Sequence, residues 1–199
     1  MNKYLRAFLA SVVFVVVLLA TYYIHMRNFD VNVVFYATIL DAVIALVLVM
    51  AGCLATRWLR DFTRLELIQL ALIWLLGGYA FAISVPTVID RSLSFYILEK
   101  LEQRGGGIRE DAFHDVFTQE YVREHHLVEV RLTEQLQSGT ITIDNGCVKL
   151  TPWGEHLATF SRFYRKNLLP THRLLMGRYT DALTDPFRHS VMTTDYRCQ

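Results

Sequence analysis

The sequence predicts a mostly α-helical protein, in which three transmembrane helices precede a small α+β domain. Leu, Val, Ile, Ala and Phe dominate the chain up to about Val85, whereas beyond Arg104 the composition is that of an ordinary soluble protein. The second half combines helical apolar spacing with one hairpin pattern. We therefore expect a membrane domain at 1–88, a soluble domain at 89–166 and a basic C-terminal tail at 167–199.

Three apolar runs, at about 7–24, 31–55 and 65–85, are the predicted membrane spans. About 20 helical residues cross a hydrocarbon core of ~30 Å, so each run is long enough. Lys3 and Arg6 precede the first run as they would in a signal peptide, but no small-x-small cleavage site follows it. The first run is therefore predicted to be an uncleaved anchor.

Local signals mark both ends of the third span. Thr63 and Glu66 form a capping-box pattern before it, and Pro86 follows it where a helix should end. Small residues of the kind that permits close helix packing lie within it, at Gly77, Gly78 and Ala82.

Asp41 is the ionisable residue that lies well inside a predicted span. Exposing it to lipid would cost roughly 2.5–3.5 kcal/mol, so we expect it to face another helix, a partner protein or water. One interpretation is an ion or substrate contact. The other, which we favour, is a packing hydrogen bond; the candidate partners for that bond are Tyr22, Tyr23, Thr38 and Tyr79.

The distribution of basic residues favours a cytoplasmic N-terminus. Five of them lie on the side of the N-terminus and the second loop: Lys3, Arg6, Arg57, Arg60 and Arg64. Four lie on the other side: Arg27, Arg91, Lys100 and Arg104. By the positive-inside rule the C-terminal domain is then outside the cytoplasm, which in a Gram-negative bacterium is the periplasm.

The second half reads as helix, helix, helix, hairpin, helix. Apolar residues recur at helical spacing after Ser92, between Arg109 and Glu124, and from Val128 to Leu136. Asn145-Gly146 is a strong hairpin turn between two alternating segments, and Thr151 followed by Pro152 starts the last helix.

The segment 131–141, the turn at Asn145-Gly146 and the segment 150–154 together resemble the recognition helix and wing of a winged-helix domain. The resemblance covers roughly residues 92–165. It implies either DNA reading or protein docking, because winged helices serve both roles.

Charge argues against DNA as the partner. Between Gly105 and Phe160 there are four basic residues and nine acidic ones, a balance that repels a phosphate backbone. The presumed recognition helix offers one arginine, Arg131, for phosphate contacts. After Phe160 the sign reverses, with seven basic residues against three acidic ones. This tail, with its aromatic and leucine residues, suits anionic headgroups or an acidic partner; the alternative is a solvated helix end followed by an unstructured terminus.

No residue pattern indicates a catalytic or metal site. His125 and His126 are adjacent, so they point to different sides of a helix and do not readily share one ion. Cys147 is interpreted as a packed thiol, although it could pair with Cys198, and Cys53 lies in an apolar run. We expect no cofactor, no metal and no small-molecule ligand, and we favour a non-enzymatic role.

The leading functional hypothesis is a non-catalytic, membrane-anchored accessory or docking subunit of a larger cell-envelope enzyme or transporter complex. It would contact lipid and a protein partner in the membrane. The alternative is a membrane-tethered winged-helix transcription regulator, and the third hypothesis is a membrane enzyme or transporter component that uses Asp41. The candidate partner contacts are Glu110, Asp111, Glu129, Arg131, Glu134, Arg173 and Arg178.

Overall fold

The computed structural model describes residues 2–188 and is mostly helical, as predicted. Three helices are long and apolar enough to cross a membrane, and they begin the chain. They are α1 (Lys3–Asn28), α2 (Val34–Ala55) and α3 (Arg64–Ser84). The α1 helix is longer than the predicted first span because its polar ends continue the helix on both sides of the apolar run.

Side-chain caps fix the starts of two of these helices. Asn2 accepts a hydrogen bond from the Tyr4 amide at 3.2 Å and so caps α1. The Thr63–Glu66 capping box before α3 is confirmed: Thr63 Oγ1 accepts from the Glu66 amide, and Glu66 Oε2 accepts from the Thr63 amide at 2.8 Å. Pro86 follows the end of α3 and opens a short helix, α4 (Pro86–Arg91).

The three helices pack through one face each, and the rest of each surface is exposed and apolar. On α1 and α3 the buried residues lie four apart. The buried faces are Ala10, Phe14 and Leu18 on α1, Thr38, Asp41, Ala42, Ala45 and Val49 on α2, and Leu70, Trp74, Gly78 and Ala82 on α3. The rings of Phe14 and Trp74 stack with centroids 5.2 Å apart.

Ion pairs join the start of α1 to the α2–α3 connection and to the first turn of α3. Lys3 Nζ is 2.5 Å from Glu66 Oε1, and Arg6 is 2.7 Å from Asp61. Trp58 Nε1 donates to the Arg6 carbonyl at 3.2 Å. The two basic residues that precede the first span therefore also hold the bundle together.

Beyond the bundle the chain forms α5 (Leu93–Gln103), which ends at glycines with positive φ. A continuous helical segment then begins with a 3₁₀ turn, Glu110–Ala112. It continues as α6 (Phe113–Asp115), a π-helical stretch (Val116–Tyr121) and α7 (Val122–Glu124). Tyr96 of α5 packs against Val116 and Tyr121 of this segment, and the three form one apolar core.

The last part of the described chain contains α8 (Leu127–Gln137), an antiparallel hairpin of β1 (Ile141–Asp144) and β2 (Cys147–Leu150), and α9 (Pro152–Asn167). The hairpin turn at Asn145-Gly146 has positive φ at both residues, as predicted. A Cβ at Gly154 would lie 2.0 Å from the Thr140 carbonyl oxygen, so glycine is needed where α9 begins. A second hairpin follows, β3 (Arg173–Leu175) and β4 (Arg178–Thr180), which the sequence did not predict.

Backbone contacts divide the chain into two compact units, the first ending at Leu127 and the second beginning at Val128. The first unit therefore holds the apolar bundle together with α4–α7. The predicted winged-helix domain would need α5 to α9 in one unit, and it stays a prediction, as do the predicted domain boundaries.

Candidate intramembrane polar site

Asp41 lies inside the bundle with none of its surface exposed. It is seven residues into α2, about 10 Å along the axis from the first residue of that helix. Thr38, one turn earlier, is also fully buried, and its hydroxyl donates to the Val34 carbonyl at 2.8 Å. Both polar residues therefore lie on the face of α2 that packs against the other helices.

The partner of Asp41 is His25, which was not among the partners that we considered from the sequence. His25 Nδ1 is 2.7 Å from Asp41 Oδ1. His25 lies in the last turn of α1, where its side chain is 21% exposed, and its ring meets that of Phe29 edge-on at 5.6 Å. The pair thus joins a fully buried carboxylate to an imidazole that reaches the surface of the bundle.

The second carboxylate oxygen of Asp41 has no hydrogen-bond partner within the part of the chain that the structure describes. A buried polar atom without a partner costs about 1–3 kcal/mol, and more when it is charged. In the tautomer with its proton on Nδ1, His25 donates to Asp41, and Nε2 is then the ring atom left for another partner. The arrangement can orient an imidazole, accept a further donor, or hold a proton.

The small residues of α3 divide between two faces. Gly78 and Ala82 are buried, whereas Gly77 is exposed. A Cβ at Gly78 would lie 2.5 Å from the Cβ of Ala42, while a Cβ at Gly77 would meet nothing within 4 Å. The close approach of α2 and α3 beside Asp41 therefore depends on Gly78.

A second polar cluster lies outside the apolar helices, between α5 and the segment that contains the π-helical stretch. Lys100 is 4% exposed, and its Nζ lies 2.7 Å from carboxylate oxygens of both Glu120 and Glu124. Tyr96 donates to Glu124 at 2.9 Å, and Arg104 binds Glu120 at 3.0 Å. Every charged group in this cluster has a partner, which is typical of a polar network that stabilises the packing of two elements.

The pKa values in this cluster move in the directions that its geometry implies. Hydrogen bonds from Lys100 lower the pKa of Glu120 and of Glu124, and Arg104 and Tyr96 add to these shifts. The same two carboxylates raise the pKa of Lys100. Burial, and then the hydrogen bond to Glu124, raise the pKa of Tyr96 to about 12.

The candidate partner contacts fall in both units. Glu110 and Asp111 are exposed in the 3₁₀ turn of the first unit. In the second unit Glu129 is exposed, and Arg131 pairs with Glu134 at 2.8 Å along α8. The β3–β4 hairpin carries the two remaining contacts, Arg173 and Arg178, and both are exposed.

The histidine pair and Cys147 differ from their favoured sequence interpretation. His125 and His126 form the turn between α7 and α8 rather than a helix surface, and His126 has a positive φ of 43°. Cys147 is disulfide-bonded rather than a packed thiol. Cys198 lies outside the described residues. Within residues 2–188, no three His, Cys, Asp or Glu side chains are grouped so that they could hold a metal ion.

Comparison of the chain with protein-family models, with curated proteins and with solved structures gives no match.

Proposed function

We propose that the chain is a membrane-anchored, non-catalytic accessory subunit of a larger cell-envelope complex, and that it engages this complex through the His25–Asp41 pair. The observation that carries the proposal is the full burial of Asp41 among apolar helices, with one oxygen on His25 and the other without a donor.

The buried polar pair has an energetic cost. Replacing a buried ion pair by well-packed apolar residues is often neutral or stabilising by about 1–4 kcal/mol. The neighbours Ala42 and Ala45 show that the same face of α2 packs with apolar residues. A carboxylate at position 41 is thus not needed to build the bundle, and an ionisable residue at such a depth indicates a functional role.

The geometry also indicates where a partner would bind. Asp41 is inaccessible, but it fixes the ring of His25, whose side chain reaches the surface near the end of α1. A hydrogen-bonding group of a neighbouring span or loop would meet His25 Nε2 there. The apolar outer surfaces of the three helices leave room for further spans beside them.

The proposal places the C-terminal part of the chain outside the cytoplasm, in the periplasm of a bacterial inner membrane. One observation supports this side: basic residues are more numerous on the side of the N-terminus.

A second candidate function is proton transfer within a membrane enzyme or transporter, and the unpartnered oxygen of Asp41 favours it. Asp41→Asn separates the two functions. The amide keeps the hydrogen bond to His25 but holds no exchangeable acid proton, so an accessory subunit should tolerate it and a proton-transfer component should not.

Photo-crosslinking in intact membranes tests the proposed contact. Benzoylphenylalanine at Phe29, whose ring touches His25, should give a crosslinked product of one discrete protein mass. The matched control is the same probe at Phe8, an equally exposed phenylalanine near the other end of α1, about 25 Å along the helix axis from His25, where no such product is expected. Lipid adducts alone at both positions would contradict the proposal.

A further inference from the structure

The last long helix of the described residues, α9, has an exposed apolar face. Trp153, Leu157, Phe160 and Tyr164 recur at spacings of four, three and four residues, so they form one stripe along α9. They are between 39% and 60% exposed. The packed side of α9 is the side of Gly154, which abuts Thr140, so residues 128–188 of the second unit leave the stripe exposed.

The opposite side of α9 is basic. Arg162 and Lys166 lie on this side, whereas Arg165 lies three turns after Gly154 on the packed side and is half-buried. None of these three basic residues forms an ion pair in the described part of the chain, although all three line one pocket with Asp185. An amphipathic helix with aromatic residues on one face and basic residues on the other is the pattern of helices that lie in a membrane interface.

The β3–β4 hairpin repeats this composition. Leu174 and Tyr179 are directly opposite each other and are 57% and 74% exposed, and Met176 at the turn is 84% exposed. Arg173 and Arg178 flank them and are also exposed. The hairpin therefore adds a second apolar patch with basic neighbours to the same unit.

We propose that the apolar stripe of α9 binds an anionic lipid bilayer, with the β3–β4 hairpin as a second lipid contact. Basic residues are attracted to the negative surface potential of such a bilayer, and aromatic rings bury their apolar parts at the headgroup level. Three apolar helices of the same chain hold it in a membrane, so this occupant is always within reach. The surface is independent of the His25–Asp41 pair.

Spin labels on the two faces of α9 test the proposal in the whole chain, reconstituted in nanodiscs. Cys53, the free thiol among the described residues, is first replaced by Ala. Leu157→Cys and Thr159→Cys then place the label on opposite faces only two residues apart, without changing the charge. Collision rates with oxygen, which enriches in lipid, and with a water-soluble nickel complex are measured in neutral nanodiscs and in nanodiscs that contain an anionic lipid.

The proposal predicts that in anionic nanodiscs the label at 157 collides several-fold more with oxygen than with nickel, and that the label at 159 shows the reverse. This contrast should weaken in neutral nanodiscs and in high salt. Equal nickel access at both positions would overturn the proposal and favour a protein partner for the stripe. A contrast that ignores both lipid charge and salt would overturn the anionic specificity.

Discussion

Gly78→Ala should destabilise the helix bundle, whereas Gly77→Ala should not. A Cβ at position 78 would lie 2.5 Å from the Cβ of Ala42, against an optimal separation of about 3.5–4.0 Å between carbon atoms. The nearest atom belongs to a buried alanine, which has no rotamer to change, so α2 and α3 must move apart by about 1 Å. Overpacking of this kind costs about 1–3 kcal/mol.

The control variant isolates the packing effect. Both substitutions gain helix propensity, worth about 1 kcal/mol in a helix interior, but at position 77 no atom lies within 4 Å of the new methyl group. Gly77→Ala should therefore be neutral or slightly stabilising, and the two variants should differ by about 1–3 kcal/mol.

Reversible unfolding in mixed micelles with increasing denaturing detergent measures this difference, with the recovery of monodisperse protein as a second readout. Equal stability of the two variants would refute the close approach of α2 and α3 at Gly78, and with it the packing that encloses Asp41.

Three further predictions concern the rest of the chain. Because the pKa values of Glu120 and Glu124 are lowered in the folded chain, their ion pairs stabilise the fold above the ordinary glutamate pKa, and this stabilisation should be lost as the pH falls below about 4.3. Because the pKa of Lys100 is raised, its stabilising contribution should be lost only as the pH rises above about 10.4. Thermal unfolding over a pH series checks both expectations, and Glu124→Gln should reduce the loss of stability in acid. A reporter that is active only in the periplasm should be active when it is fused after Gln199, and a reporter that is active only in the cytoplasm should be inactive there. The opposite result would remove the main objection to a transcription regulator. The whole chain should bind two unrelated duplex DNAs equally weakly over a salt series, because Arg131 is already paired with Glu134; tight, sequence-selective binding that weakens with Arg131→Ala would promote the regulator.

The features that the sequence predicts well depend on local signals. The three apolar helices follow from run length, the start of α3 from the Thr63–Glu66 capping box, and the first hairpin from Asn145-Gly146. Each of these signals acts within a few residues, so one sequence is enough to detect it.

The features that the sequence did not reveal depend on contacts between distant residues. His25 was missed because it lies outside the predicted first span, which ended at residue 24, although α1 and α2 form a helical hairpin that brings His25 to Asp41. The outward direction of the α9 stripe was missed because helical spacing identifies an apolar face but not what covers it. The π-helical stretch at Val116–Tyr121 has no sequence signal that we recognise.

We propose that Asp41 serves an assembly rather than the fold of its own chain, and the recovery of that assembly from membranes is the measurement that checks this role. Tagged wild-type protein, Asp41→Leu and Asp41→Asn are purified from native membranes in mild detergent, and the mass of each intact assembly is measured beside the thermal stability of each isolated chain. We predict that Asp41→Leu loses the assembly while its isolated chain stays folded, and that Asp41→Asn retains most of the assembly. Assemblies of wild-type mass and abundance from both variants would contradict the account.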